Sequence, residues 1–240
     1  MCRSINKLVF SLVLGSLAAA SSTPAAASPI TVTFEKVGPG IGNAGQYNWN
    51  TGSIAYEGIL YTPYANNSSS QNHIVMFCIE RNQFINNNTT YSGYHFANLE
   101  NAPVPGTVMS SAIANAIRAM WAEYRDDLNV GTTTEKNEKS AAFQHAVWRL
   151  LDPSYNPSLS GNTLNNYNAF LNPSNWKHGL ANLAAIVHSQ HQDQIFELER
   201  GYIVTPGGNL LLVPAPATLV IAVLIAPALV LRRRLATKML

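Results

Sequence analysis

The chain has 240 residues, with 15 Lys and Arg against 13 Asp and Glu, a formal net charge of +2, and two cysteines. Six of the basic residues (Arg3, Lys7, Arg232, Arg233, Arg234 and Lys238) lie in the two terminal segments, which carry no acid; the body holds nine basic and thirteen acidic residues, a formal net charge of −4. That balance removes the electrostatic case for nucleic-acid binding, and no nucleic-acid partner is expected.

Residues 1–27 read as a secretory signal peptide. Arg3 and Lys7 precede an apolar run, Leu8 to Ala20, and small residues end at Ala25-Ala26-Ala27. A charged start, an apolar middle and an A-x-A site define that class, with cleavage after Ala27. The run is too short for a spanning helix. Cys2 precedes the run, so it is not a lipoprotein cysteine, and its removal leaves Cys78 as the one thiol of the exported body.

Residues 28–209 form one domain's worth of chain. Pro29 to Glu35 alternates apolar and polar residues and predicts a strand. Glycines 38, 40, 42 and 45 predict a loop; Tyr47–Trp49 and Ser53–Tyr61 predict further strands, and Asn66–Asn72 a polar turn. Ile74 to Glu80 predicts a central strand, because both of its period-two faces are apolar: Ile74, Met76 and Cys78, with Glu80, on one, and Val75, Phe77 and Ile79 on the other. Tyr91–Phe96 predicts a short strand. The period then changes. Ile113, Ile117, Met120, Trp121, Tyr124 and Leu128 mark an amphipathic helix capped by Ser110 or Ser111. Glu135–Leu151 predicts a second helix, with Phe143, Val147, Leu150 and Leu151 on its apolar face and Asp152-Pro153 as its stop. Asn156–Asn175 reads as loop, with a weak helical patch near Leu164–Leu171. Lys177–Gln192 predicts a third helix, on Leu180, Leu183, Ala184 and Val187. Ile195–Leu198 and Tyr202–Val204 predict closing strands. Strands, helices and strands again imply an α+β domain: an antiparallel, barrel-like sheet with an inserted subdomain of about three helices. There is no internal repeat.

The far C-terminus, residues 210–240, reads as a second processing signal. Leu219–Leu231 is apolar throughout and is closed by Arg232-Arg233-Arg234. An apolar span ended by a basic cluster is a membrane stop with its arginines in the cytoplasm. With Val213, Pro214 and Pro216 before it, the segment resembles the PEP-CTERM sorting signal, with Ala215 where that family has Glu. The resemblance implies an exosortase-type partner, transient anchoring in the inner membrane, and delivery to the surface or extracellular matrix of a Gram-negative cell.

Two positions in the body carry chemistry. Cys78 has three readings: an inert buried thiol, a nucleophile served by a histidine such as His145 or His95, or one half of an intermolecular disulfide. Gln144 stands among Phe143, Val147 and Trp148 on the second predicted helix. A buried carboxamide without a partner is costly, so it needs a hydrogen bond, to nearby backbone or to something more specific. The motifs Phe77-Cys78-Ile79-Glu80 and Gln144-His145-Ala146-Val147-Trp148 together resemble those of bacterial surface thioester domains. Glu80 stands where Asp is common there, and Phe143 where Thr often precedes the Gln. That resemblance implies a thioester-domain-like fold and a Cys78–Gln144 internal thioester. It also implies single-use covalent attachment to an amine or hydroxyl of an extracellular protein or polysaccharide, with no cofactor and no turnover. Phe77, Phe143 and Trp148 are candidate pocket walls, Glu80 a candidate orienting group, and His145, one residue on and about 100° around the helix, a weaker candidate acid or base. His188 and His191 lack an acidic ligand pattern, so no metal is expected; nothing resembles a phosphate loop, and Glu197 and Glu199 read as solvated acids. The rival reading is a non-reactive structural or carbohydrate-binding protein of a biofilm or exopolysaccharide matrix.

Overall fold

The computed structural model describes residues 29–50, 73–103, 107–198, 202–205 and 210–212. The signal peptide, the Ser53–Tyr61 strand, the Val213–Pro216 box, the apolar span and the arginine cluster lie outside the described residues. Among the described residues, no helix is long and apolar enough to cross a membrane.

Six antiparallel strands close a barrel. They are β1 (Ile30–Ile41), β2 (Ala44–Asn50), β3 (His73–Cys78), β4 (Thr89–Asn98), β5 (Leu183–Val187) and β6 (Gln194–Glu197). The order around the barrel is β1-β2-β3-β6-β5-β4, with β4 returning to β1. A two-stranded sheet of β7 (Tyr202–Val204) and β8 (Leu210–Leu212) follows. Between β4 and β5 the chain inserts three helices: α1 (Ser111–Tyr124), α2 (Thr133–Leu151) and α3 (Gly161–Phe170). The domain is α+β, as expected.

Two apolar clusters follow from strand alternation. Inward-facing Val32, Phe34, Trp49, Ile74, Met76, Tyr94 and Phe196 fill the barrel. Outward-facing Phe77, Ile79, Ala185 and Ile195 meet Ile117, Met120, Trp121, Phe143 and Val147 from the helices. Phe77 packs tilted on Phe143 at 4.8 Å and edge-on to Trp121 at 5.6 Å. β3 is thus buried on both faces, as its two apolar faces predict.

The helix starts follow their caps. The Ser110 hydroxyl accepts from Ile113 N. Thr132 and Glu135 form a reciprocal capping box. Gly131, at φ +108, leads into it; a Cβ there would lie 2.5 Å from the Glu135 carboxylate.

Two helix expectations are corrected, and so are two smaller readings: the Gly38–Gly45 loop lies mostly within β1 and β2, and Glu197 is buried, accepting from Trp121 Nε1. Lys177–Gln192 is not a helix: it contains β5, followed by a bend. Leu183–Val187 is buried at every position, and a short, wholly apolar run fits helix and strand alike. Pairing with β4 on one side and β6 on the other makes it a strand. The third helix is instead α3, within the segment read as loop. Its buried stripe is Thr163, Tyr167 and Phe170, spaced i, i+4, i+7 on an Asn-rich background.

Candidate functional site

The site is built where β2 leaves β3. β2 pairs with β3 through Tyr47↔Met76 and then turns aside, with Gly45 pairing Gly40 across the β1–β2 hairpin. The hairpin needs glycine at both positions: a Cβ on Gly45 would meet Pro39 O at 2.5 Å, and one on Gly40 would meet Ala44 O at 2.4 Å. The edge of β3 beside Cys78 is therefore left without a strand partner.

Helix α2 fills the gap with a polar seam at i, i+3, i+7. Asn137 Oδ1 accepts from Gly40 N at 3.2 Å. The Ser140 hydroxyl accepts from Gln46 Nε2 at 2.8 Å. One turn on, Gln144 Oε1 accepts from Cys78 N at 2.8 Å, and Gln144 Nε2 donates to Cys78 O at 2.8 Å. The carboxamide stands in for the missing strand residue and satisfies both main-chain groups of Cys78. Cys78 and Gln144 are each 0 % exposed. The two residues predicted as partners, 66 positions apart, are brought together.

The thiol points into the barrel, where its surroundings were not anticipated. Cys78 Sγ donates to Gln192 Oε1 at 2.9 Å, and Gln194 Nε2 lies 3.6 Å from the sulfur. Gln194 stands directly across from Cys78 on β6. Tyr47, whose hydroxyl donates to Asn43 O, also contacts the thiol. Burial pushes the thiol up to about 12, while the adjoining Tyr47 and Gln194 side chains pull it partly back. The same burial raises Tyr47 and Tyr94. This environment keeps the sulfur neutral, unlike that of a thiolate nucleophile.

The remaining predicted residues are distributed around this centre. Glu80 lies past the strand end: its carboxylate accepts from Asp193 N and Gln83 Nε2, so it braces the β5–β6 turn rather than touching the sulfur. Burial raises it. His145 turns away to Tyr155, with its Nδ1 2.5 Å from the hydroxyl and the rings stacked, and burial lowers it. Phe77 and Phe143 belong to the outer cluster between barrel and helices. Trp148 belongs to the inner one, stacked one turn beyond Gln144. The His188 and His191 rings lie 4.5 Å apart, and no group of three metal-ligating side chains occurs among the described residues.

Trp148 also separates two clefts. One of about 280 Å³ has Tyr47, Trp148 and Gln192 in its floor and Arg81, Phe84 and Asn86 at its rim. The other, about 340 Å³, runs past Glu80, Leu151 and Tyr155. The first reaches two of the residues that touch the thiol. Gln192 and Gln194 were missed because the segment read as a helix end; an alternating Gln-x-Gln entering Ile195–Leu198 was the available signal.

No protein-family model matches the sequence, and no curated protein matches it. Among solved structures, the chain is similar to the N-terminal thioester domain of a surface protein from Clostridium perfringens, determined as a cysteine-to-alanine mutant. The TM-score is 0.37 and the identity 14 %, over 54 % of this chain and 82 % of that one. At that score the likeness supports no inference about this chain.

Proposed function

We propose that the protein is an exported surface or matrix protein whose Cys78 and Gln144 condense to an internal thioester, which then attaches covalently to a target. The observation that carries this reading is the double hydrogen bond between the Gln144 carboxamide and the Cys78 main chain in a fully buried site. In the bond-forming step, sulfur adds to the Gln144 carbonyl carbon. The carbon–nitrogen bond breaks and ammonia leaves with the thiol proton. In the second step an amine or hydroxyl of an extracellular protein or polysaccharide adds to the same carbon. The carbon–sulfur bond breaks, the nucleophile's proton passes to sulfur, and Cys78 returns as a thiol. Each molecule reacts once, so this is not enzyme turnover. The dry surroundings protect the bond from water until a target arrives. The PEP-CTERM-like terminus supplies the address: transient anchoring in the inner membrane, exosortase-type processing, and release to the surface of a Gram-negative cell. The motif pair and the terminus together point to a thioester-domain protein carrying that signal.

A cysteine hydrolase is disfavoured, because no hydrogen bond joins His145 or His95 to the sulfur and the thiol is held neutral. The satisfied carboxamide equally suits a non-reactive structural or carbohydrate-binding matrix protein, and one measurement separates the two. The intact mass of the purified chain should be lower than its sequence by one ammonia. Methylamine should restore that ammonia's worth of mass as an adduct and release one thiol. Cys78→Ala and Gln144→Ala should each abolish both effects. A full mass with a titratable thiol in the folded chain would leave only the structural reading standing.

A further inference from the structure

We propose that Gln192 is the positioning residue of this site: it takes the Cys78 S–H bond and thereby turns the sulfur for attack on Gln144. The inference rests on the thioester reading for its consequence, but its geometry stands apart from it.

A carboxamide side chain has two ends, and which end faces a neighbour is set by the other bonds it makes. Gln192 Nε2 donates to two main-chain acceptors, Glu80 O at 2.6 Å and Gln83 O at 2.9 Å. Neither acceptor can exchange roles, so Nε2 is fixed on that side and Oε1 is fixed on the thiol side. Oε1 lies 2.9 Å from Sγ. Gln194 Nε2, 3.2 Å away, donates to the same oxygen. The Gln192 main chain is held as well, by Tyr94, whose hydroxyl donates to Gln192 O at 2.9 Å. At 4 % exposure Gln192 is largely shut off from solvent.

A thiol carries one hydrogen. With that hydrogen committed to Gln192 Oε1, the sulfur lone pairs point elsewhere. Gln194 stands on the β6 side of β3, and the Gln144 carboxamide on the opposite, β2 side. Gln192 therefore favours one staggered position for a sulfur that could otherwise take another. The same side chain ties the segment after β3 to the β5–β6 turn, so the floor of the 280 Å³ cleft and the orientation of the sulfur share one residue.

Gln192 also presents a second carboxamide to the sulfur, and the test must separate positioning from crosslinking. The full chain carrying Cys2→Ser leaves Cys78 as its one thiol, and two readouts are taken on it. The first is the S–H stretching band in the infrared, recorded on the free thiol before condensation or after methylamine opening. The expected band is shifted to low frequency, as for a hydrogen-bonded thiol, and Gln192→Met moves it toward the free-thiol position. The second is the rate of ammonia loss by mass, expected to fall about tenfold or more in Gln192→Met, a change of ~1.4 kcal/mol or more in barrier. Gln192→Leu, which also removes the acceptor, serves if Gln192→Met does not fold. An S–H band indifferent to Gln192, or ammonia loss at the wild-type rate in Gln192→Met, overturns the proposal. Ammonia loss that survives Gln144→Ala but not Gln192→Met also overturns it, by making Gln192 the electrophile. If the parent chain loses no ammonia at all, the thioester reading fails, while the infrared band still decides whether Gln192 holds the thiol.

Discussion

At the scale of single residues, the chemistry rests on how a sulfur and a carboxamide are each kept satisfied. Burial holds the Cys78 thiol neutral, up to about 12 against an ordinary value of 9.0. A folded-state value raised in this way favours the protonated form in the fold. The stability it contributes is fully present below pH 9 and is lost as pH climbs through about 12. Methylamine-opened chain and a Cys78→Ala variant, compared by urea unfolding on either side of that window, should diverge. The opened wild type should lose up to ~1.4 kcal/mol per pH unit more than the variant. Alkylation of the opened thiol should keep accelerating beyond pH 9 instead of levelling there. Cys78 and Gln144 were legible in the sequence because each carries a short motif. Gln192 and Gln194 were not, because their meaning comes from the bend after β5, which no local pattern announces.

At the scale of elements, α2 matters most. It delivers Asn137, Ser140 and Gln144 along one seam to the ends of β1, β2 and β3. Its register is set at its start by the capping box. Thr132→Ala should cost about 1 kcal/mol and lower the melting temperature by a few degrees. It should also slow ammonia loss, since the seam is anchored from that end. Gln46→Leu leaves the Ser140 hydroxyl without its donor and should cost roughly 1–3 kcal/mol; thermal melting beside an intact-mass time course checks both variants. Helices α1 and α2 were readable from periodicity and caps, and β3 from its two apolar faces. β5 was misread because five consecutive apolar residues hold no period, and α3 was obscured because its buried stripe is Thr, Tyr and Phe among asparagines.

At the scale of the whole molecule, the barrel is a non-local object. β3 meets β6, and β4 meets β5, only across the inserted helices. Sequence patterns supply the strands but not their order, so an α+β barrel was expected in outline and its closure was not. The proposed crosslink would join positions 66 apart in the chain. A covalent loop of that size removes unfolded-state entropy equivalent to ~4 kcal/mol on the loop-closure account. Methylamine-opened chain should accordingly melt about 10 °C below the condensed form. Equal melting temperatures, measured with the mass of each sample in hand, would overturn the loop-closure account of what the bond contributes.

The strand edge that β2 abandons has a consequence for timing. During synthesis Cys78 emerges first, Gln144 follows with α2, and Gln192 and Gln194 come later still. The sulfur is complete in its surroundings only after β6 has closed the ring. On the proposed reading, condensation follows the closing of the ring rather than preceding it. A chain that stalls earlier keeps a thiol and never becomes an acylating agent. The bond, where it exists, certifies that the molecule holding it was finished.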